Sequence, residues 1–583
     1  MKKALLLVTL LISIQYLSYS QIPNWEWTKT MAGQKDDNAK SIACDSKGDV
    51  VMVGDFLSDS IVTGSLKLRN LHPTGGVINQ YKLSDIFVSK YDSAGNVIWA
   101  KNFGSDSSDY AYSVAIDNAD NIIVVGKFYG NTFRIGDISI SKTIGQYTPD
   151  AFIFKLDPNG NVMWAKSIGG ISFEEGKAVT TDEQNNIYLA GQFWGANTNL
   201  GADVFSSKGA DDIFITKYTD NGTAIWTKTF GSSTNESVVD ICSDKSGHIY
   251  FTGEYRSSNL TIGTLLPPNI DSSPTTEVYV SKMDLNGNIV WTKTANCSGG
   301  DYVKSLAVDK QKNVLITGRF AEYYLNIGNN IFPGDHITNP NCTNGAGFFL
   351  IKFDSLGTFK WFQTISISYS EAGLAVKTDK DDNIFVVAFG KGDTLVIDTI
   401  TVYAIPNSAT LLLKYNPDGH IIWQKTFGIG DHLGNLDIET DIDISNQGNL
   451  YLSSSFMKPT YTMDKVLSTN TNKFLSYEPF IAKLGNVNQG MGNNELDIEY
   501  TLNIYPNPFT NSISIEYHSS KKEYSTLSIF DFNGKKVFEN YKVETLKGKN
   551  NISLNNIDLN NGLYFINLMV DGKSRTYKVA CLR

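Results

Sequence analysis

Few residues of this 583-residue chain are placed for bond-making chemistry. The six histidines, His72, His248, His336, His420, His432 and His518, are scattered, with no i, i+4 pair and no zinc-ligand spacing. His248 and His420 stand where sister segments carry Asn or Asp in a turn, so turn formation accounts for them. No Gly-x-Ser-x-Gly elbow, phosphate-cradling loop or dinucleotide fingerprint occurs. Asp379-Lys380-Asp381-Asp382-Asn383 has the opening of a calcium loop but lacks its Gly and its distal Glu. No catalytic group, metal site or cofactor is therefore assigned. The groups suited to binding are aromatic: Trp194, Tyr129, Tyr323 and Tyr324 could stack on a sugar or a peptide, or merely cap the ends of strands.

The five cysteines are too few for a disulfide-built scaffold. Cys44 and Cys242 sit in apolar strands and read as small buried residues, and Cys581 belongs to the tail. Cys297 and Cys342 fall in loops expected on one face of the same repeat, which leaves a disulfide between them open.

The elements that position these residues come from a repeat. A strand ending in Lys, a turn of Asp or Asn with Gly, and a strand carrying Trp recur at Lys90/Trp99, Lys155/Trp164, Lys217/Trp226, Lys282/Trp291, Lys352/Trp361 and Lys414/Trp423. A seventh copy stops at Lys483 without its Trp; the missing strand stands at the other end of the chain, around Trp27. Each unit contains four short runs with β-branched and aromatic enrichment, and no sustained helical period appears. Short Asp/Asn/Gly links join the first run to the second and the third to the fourth, as in hairpins. The second run ends in Gly-x-aromatic in five copies (Gly54/Phe56 to Gly318/Phe320), whereas Val387 and Ser454 stand at the glycine position in the last two. The expected fold is all-β: a seven-bladed β-propeller over residues 21–485, closed by the N-terminal strand. The Gly is expected to admit a neighbouring backbone, and the aromatic and the Trp to fill the wedge between blades. The links between the second and third runs vary most. They carry the aromatics named above, and several contain Ile-Gly (Ile135-Gly136, Ile262-Gly263), the mark of an extra small hairpin.

The pattern Asp-x-x-Gly-Asn, Gly-x-Phe, then Asp-x-Phe-x-x-Lys, Gly-Asn and Trp resembles bacterial β-propeller repeats of the SBBP type. That resemblance implies a propeller and an exported location, without one agreed activity.

The ends are different in kind. Lys2-Lys3, the apolar run Ala4 to Ile14 and the small residues Ser18 and Ser20 make residues 1–20 an expected secretory signal peptide. No later apolar run reaches the length of a membrane span, so no transmembrane segment is expected in the mature chain. Residues 486–499 are rich in Gly and Asn and read as a linker. Residues 500–583 lose the repeat and show short alternating strands, as in a small Ig-like β-sandwich. Charge shifts too: residues 21–499 carry 37 Lys/Arg against 53 Asp/Glu, and residues 500–583 carry 11 against 7. An acidic body does not follow phosphates, which argues against nucleic acid as a partner. Within the tail, Tyr505-Pro506-Asn507-Pro508, Asn533-Gly534 and Gly562 with Tyr564 occur in order. Together they resemble the type A C-terminal sorting domain of the type IX secretion system. The resemblance implies passage through the periplasm, type IX machinery as a partner, and delivery to the outer surface or beyond.

Variable loops on a regular ring, without a catalytic constellation, favour a non-catalytic module that binds a glycan or a surface protein. An extracellular enzyme acting on polysaccharide or peptide through the central channel, and a structural surface-layer component, are the alternatives.

Overall fold

The computed structural model describes residues 22–71, 83–143, 148–257, 260–265, 275–296, 300–320, 326–327, 347–366, 370–391, 394–397, 400–403, 409–427, 439–456, 460–463, 466–469, 476–487, 503–505, 509–519, 522–531, 536–555, 557, 559–560, 562–570 and 573–581. The expected signal peptide and most of the linker lie outside them. The chain divides into two compact units, Met1–Gln489 and Gly490–Arg583.

All regular structure among the described residues is β. In the first unit the repeat produces seven antiparallel sheets built on four strands each, among the described residues. In the second of these, Asp109–Ile116 pairs with Ile122–Phe128, which pairs with Asp150–Leu156, which pairs with Val162–Ile168. The first strand of each sheet touches the first strand of the next, and that of the seventh (Asp441–Ile444) touches that of the first (Asp37–Cys44). The seventh sheet takes its fourth strand from Trp25–Thr30, which lies antiparallel on Glu478–Asn486 with Trp27 opposite Lys483. Lys90 opposite Trp99 and Lys155 opposite Trp164 are the same pair in register. Second and third strands are buried on both faces, which is why they read as unbroken apolar runs.

The Lys and Trp of the motif latch one sheet to the next. Asp117 of the first turn accepts the N–H groups of Ala119 and Asn121 through one oxygen and meets Lys155 Nζ at 2.6 Å through the other. Both side chains are wholly inaccessible. Lys90 with Asp45 (2.7 Å) and Lys352 with Asp309 (3.0 Å) repeat the pair. In the seventh sheet Ser445 replaces the Asp, and Lys483 pairs with Glu26 of the closing strand at 2.8 Å. The same lysines also donate to a turn carbonyl of the following sheet: Lys282 to Ser355, Lys352 to Pro417, Lys483 to Ser93. The indole N–H of the paired Trp donates to that same carbonyl in these sheets, Trp291 to Ser355, Trp361 to Pro417 and Trp27 to Ser93. The turn glycine beneath has positive φ, and a Cβ on Gly95, Gly222 or Gly419 would run into the preceding Trp ring. Trp423 of the sixth sheet faces a sheet whose fourth strand comes from elsewhere in the chain, and its indole N–H finds no acceptor among the described residues. The Trp is thus a polar latch as well as filler.

The glycine of the second strand serves its own sheet. A Cβ on Gly54 or Gly126 would strike the carbonyl oxygen of Asn38 or Tyr110 on the first strand and a third-strand Phe ring. In the sixth sheet the residue in that register is Ala388, opposite Gly373, rather than Val387. A small residue is kept there after all. The extra hairpins form as the Ile-Gly pairs require: Thr132–Ile135 with Ile138–Ser141 turns at Gly136, with φ 60°. The hairpins of the first three sheets are tied to the links entering those sheets through the bridges Ala32 to Val62, Gly104 to Arg134 and Gly169 to Asn199.

In the second unit, Ser512–Ser519 pairs with Asn503–Tyr505 and Gly548–Asn555. Lys536–Thr545, Glu523–Asp531, Gly562–Val570 and Lys573–Cys581 make a second sheet in that order. Ile515, Leu527, Ile529, Ile566 and Cys581 share its single core.

Breaking a buried ion pair by removing one partner typically costs about 3–5 kcal/mol, against about 0–1 for an exposed pair. Asp117→Asn should therefore lower the denaturant midpoint of the full chain far more than Asp59→Asn, which breaks the accessible Lys35–Asp59 pair; equal shifts would discount the latch. Burial pushes the carboxyls of Asp37 and Glu174 up to about 7 and that of Asp212 to about 6, against the hydrogen bonds they accept from loop groups. The folded chain keeps protons there that the unfolded chain releases, so this contribution is complete below about pH 4 and is lost as pH rises through 6–7. Asp92, Asp157 and Asp284, held below the usual carboxylate range by turn hydrogen bonds that outweigh their slight burial, act oppositely and lose theirs below about pH 4. Stability should be highest near pH 4, fall as pH rises to about 7 and level off above it, measured by thermal unfolding from about pH 3 to 8.

Candidate functional site

Every first strand but the seventh contains a β-bulge at one place, where two residues oppose one: between Ala39 and Ser41, Ala111 and Ser113, Gly176 and Ala178, Val238 and Asp240, Val303 and Ser305, and Gly373 and Ala375. The residues inserted there are Lys40, Tyr112, Lys177, Val239, Lys304 and Leu374, and all six line a cavity of about 330 Å³. Glu439 and Asp441 line it from the seventh sheet, so the inner edges of all seven sheets contribute. The bulges lie towards the end of the strand where the variable loops leave. A bulge re-aims a side chain and frees a backbone group, and both effects are visible here.

The backbone N–H just past the bulge bonds to the preceding sheet. Val114 N donates to Ser41 Oγ, Val179 N to Ser113 Oγ, and Val376 N to Ser305 Oγ. Ala178 and Ala375 have no acceptor to offer, and the sheet after each supplies its own. Asp240 accepts Ile241 N at 2.8 Å through one oxygen and Leu306 N of the next sheet at 2.8 Å through the other. Asp441 does the same for Ile442 N and Ile42 N. These carboxylates face Lys377: burial opposes its charge, but Asp443, Asp441 and Asp240 raise its affinity for the proton. Cys44 and Cys242 lie beside this group, half-buried and packed against the apolar clusters, with burial and nearby carboxylates pushing both thiols up. They are poor nucleophiles.

Nearer the loops the charges are paired. Lys40 Nζ lies 3.6 Å from Glu439, and Lys177 and Lys127 share Glu175 at 2.8 and 2.9 Å. Burial alone would raise Glu175, but the two ammonium groups hold it below the ordinary range. At half-buried Glu254 desolvation outweighs the Lys304 charge and pushes the carboxyl up to about 7. Lys127 sits among four rings, with Tyr110, Tyr112, Tyr129 and Phe173 centroids 5.3–5.8 Å from its Nζ. Lys177 Nζ lies 4.7 Å from the Tyr112 ring.

Two aromatics singled out from the sequence thus belong to one region. Tyr129 is half-buried, edge-on to Tyr110 and under Lys127. Trp194 is 49% exposed and pairs in register with Phe173, whose other neighbour is Lys127. Tyr323, Tyr324, Cys297 and Cys342 lie outside the described residues. Sequence reading missed the ring of bulge residues. Its trace is an apolar pair three apart in a strand, as in Ala39/Ile42, Ala111/Val114 and Val303/Leu306, where strict alternation would put them two apart. Among the described residues no group of three or more His, Cys, Asp or Glu could hold a metal ion. In the C-terminal unit Tyr505 ends one strand and Gly562 begins another, and Tyr564 is buried with its hydroxyl donating to Asn560 O. Pro506, Asn507, Pro508, Asn533 and Gly534 lie outside the described residues.

In an alignment 546 positions long that covers 80% of the chain, it is 24% identical to an uncharacterized WD repeat-containing protein of Acanthamoeba polyphaga mimivirus. Over 284 residues, 47% of its length, it is 23% identical to the regulatory protein FlaEY of Caulobacter vibrioides. It spans 38% and 28% of those two relatives. Among solved structures it is similar to PorZ, a surface component of the type IX secretion system of Porphyromonas gingivalis, at 10% identity and TM-score 0.13, covering 95% of this chain and 100% of that one. No helix among the described residues is long and apolar enough to cross a membrane. Residues 503–581 match the family model of the secretion system C-terminal sorting domain, on the segment whose strands and motifs are described above. The chain therefore carries a type IX C-terminal sorting domain and is exported to the outer surface or the extracellular space.

Proposed function

We propose that residues 21–485 are a seven-bladed, SBBP-type β-propeller closed by its N-terminal strand, and that it is a non-catalytic binding module for a glycan or a surface protein. A signal peptide at 1–20, a linker at 486–499 and an Ig-like sandwich at 500–583 complete the arrangement, with transit through the periplasm. The observation that carries the binding role is the aromatic rim: Trp194, half-exposed, continues through Phe173 into the rings around Lys127, among them Tyr129. An exposed indole backed by a packed aromatic cluster offers stacking area that is already ordered before a ligand arrives. Tyr323 and Tyr324 belong to the equivalent loop of the fifth repeat and extend the same reading.

A hydrolase acting in the channel is the second reading, favoured by Glu254, whose carboxyl is poised near neutrality inside a cavity. Turnover of polysaccharide or peptide pools that disappears in Glu254→Gln would establish it.

The full chain is expected to bind components of a glycan array or cell-surface extract, and Trp194→Ala to weaken that binding about tenfold or more (~1.4 kcal/mol). Blank arrays and extracts for the folded wild-type chain would remove the binding role. Deletion of residues 503–581 should leave the chain inside the outer membrane, read by cell fractionation.

A further inference from the structure

We infer that the central cavity is a binding site for an uncharged sugar, the terminal residue of a glycan chain presented to the loop face. This rests on the glycan-binding reading above and deepens it by assigning the pocket and the ligand class. Three features of the cavity carry it.

The first is size and placement. At about 330 Å³ the cavity lies at the small end of the roughly 300–1,000 Å³ common for small-molecule sites. It is recessed among the inner strands, which suits one end of a narrow chain and not the broad face of a folded protein.

The second is charge balance. Lys40 is matched by Glu439 and Lys177 by Glu175, while the Lys304 charge acts on the Glu254 carboxyl from within the same lining. An ion entering the cavity would have to displace an existing partner. A hydroxyl would not: it donates and accepts at once, and around one space the ammonium groups offer it donors and the carboxylates acceptors. An ammonium has three donors and a carboxylate about four acceptor sites, so pairing leaves capacity on both.

The third is the aromatic face. Tyr112 is the aromatic side chain of the lining, and Lys177 lies against its ring. Val239 and Leu374 add apolar surface from the other side. A pyranose has apolar C–H faces and a polar edge, and this lining has both. The bulges bring the three features together, since each inserts one residue of this ring.

The test uses the full chain with an array of neutral hexose and N-acetylhexosamine oligosaccharides alongside hexuronate oligosaccharides, followed by calorimetric titration of the best binder. Tyr112→Ala and Lys304→Met are each expected to weaken neutral-sugar binding at least tenfold, with folding checked by thermal unfolding. Amide exchange of the wild-type chain with saturating oligosaccharide is expected to slow along residues 109–116 and 302–308. Unchanged affinity in the folded variants, or protection confined to the loops, overturns the cavity assignment and leaves glycan binding at the loop face standing. Binding confined to hexuronates overturns the uncharged class. No sugar binding by the wild-type chain overturns this inference together with the glycan reading.

Discussion

The ring of sheets depends on a lysine ammonium that is taken out of water and given two fixed partners. One is a carboxylate of its own sheet and the other is a turn carbonyl of the next, as in Lys352 with Asp309 and Pro417. Desolvating an ammonium is expensive, so the side chain holds its place only where both acceptors are present. Local turn geometry and sheet-to-sheet spacing are thereby coupled in a single group. Its register partner, the Trp, reaches the same carbonyl, so one oxygen reports on the position of two strands of the preceding sheet. A slip of any sheet along its neighbour would strand a charge and an indole N–H together.

Much of this was legible in the sequence, because a fixed period marks equivalent positions without any knowledge of their contacts. The four strands per unit, the hairpin turns, the extra Ile-Gly hairpins and the Trp27 strand opposite Lys483 all follow from spacing and turn chemistry. The work of the Trp did not, since its acceptor lies one repeat away and belongs to a turn that looks complete by itself. Val387 precedes Phe389 by two, as the Gly precedes its aromatic in other copies, but the ladder places Ala388 opposite Gly373 and so shifts the glycine position by one residue. In the tail, the ordered motifs marked a sorting domain that the family match at 503–581 supports.

The channel was hidden for another reason. A bulge adds one residue to a strand and looks like an irregularity within one copy; only convergence of the inner strands turns the inserted residues into a lining. The same irregularity shows how the repeat tolerates variation. Where Ala178 and Ala375 lack an acceptor, Asp240 and Asp441 appear in the following sheet, and Lys377 balances the negative charge they bring. Loss of a hydroxyl in one unit, a carboxylate in the next and an ammonium among them form one linked set. Exchanging one of these units alone would leave either a bare N–H or an uncompensated charge.

Because residues 25–30 supply an edge to residues 478–486, a strand made early finds its place only after the strands of the other six sheets have been made. Six sheets can be assembled from consecutive segments while synthesis proceeds, but the seventh has to wait for its neighbour to arrive. Until then one flank of the assembly stays unpaired and the leading segment stays extended. A polypeptide that crosses a membrane before it folds gains from such an arrangement, since the step that locks the circle is postponed until nearly the whole length is through.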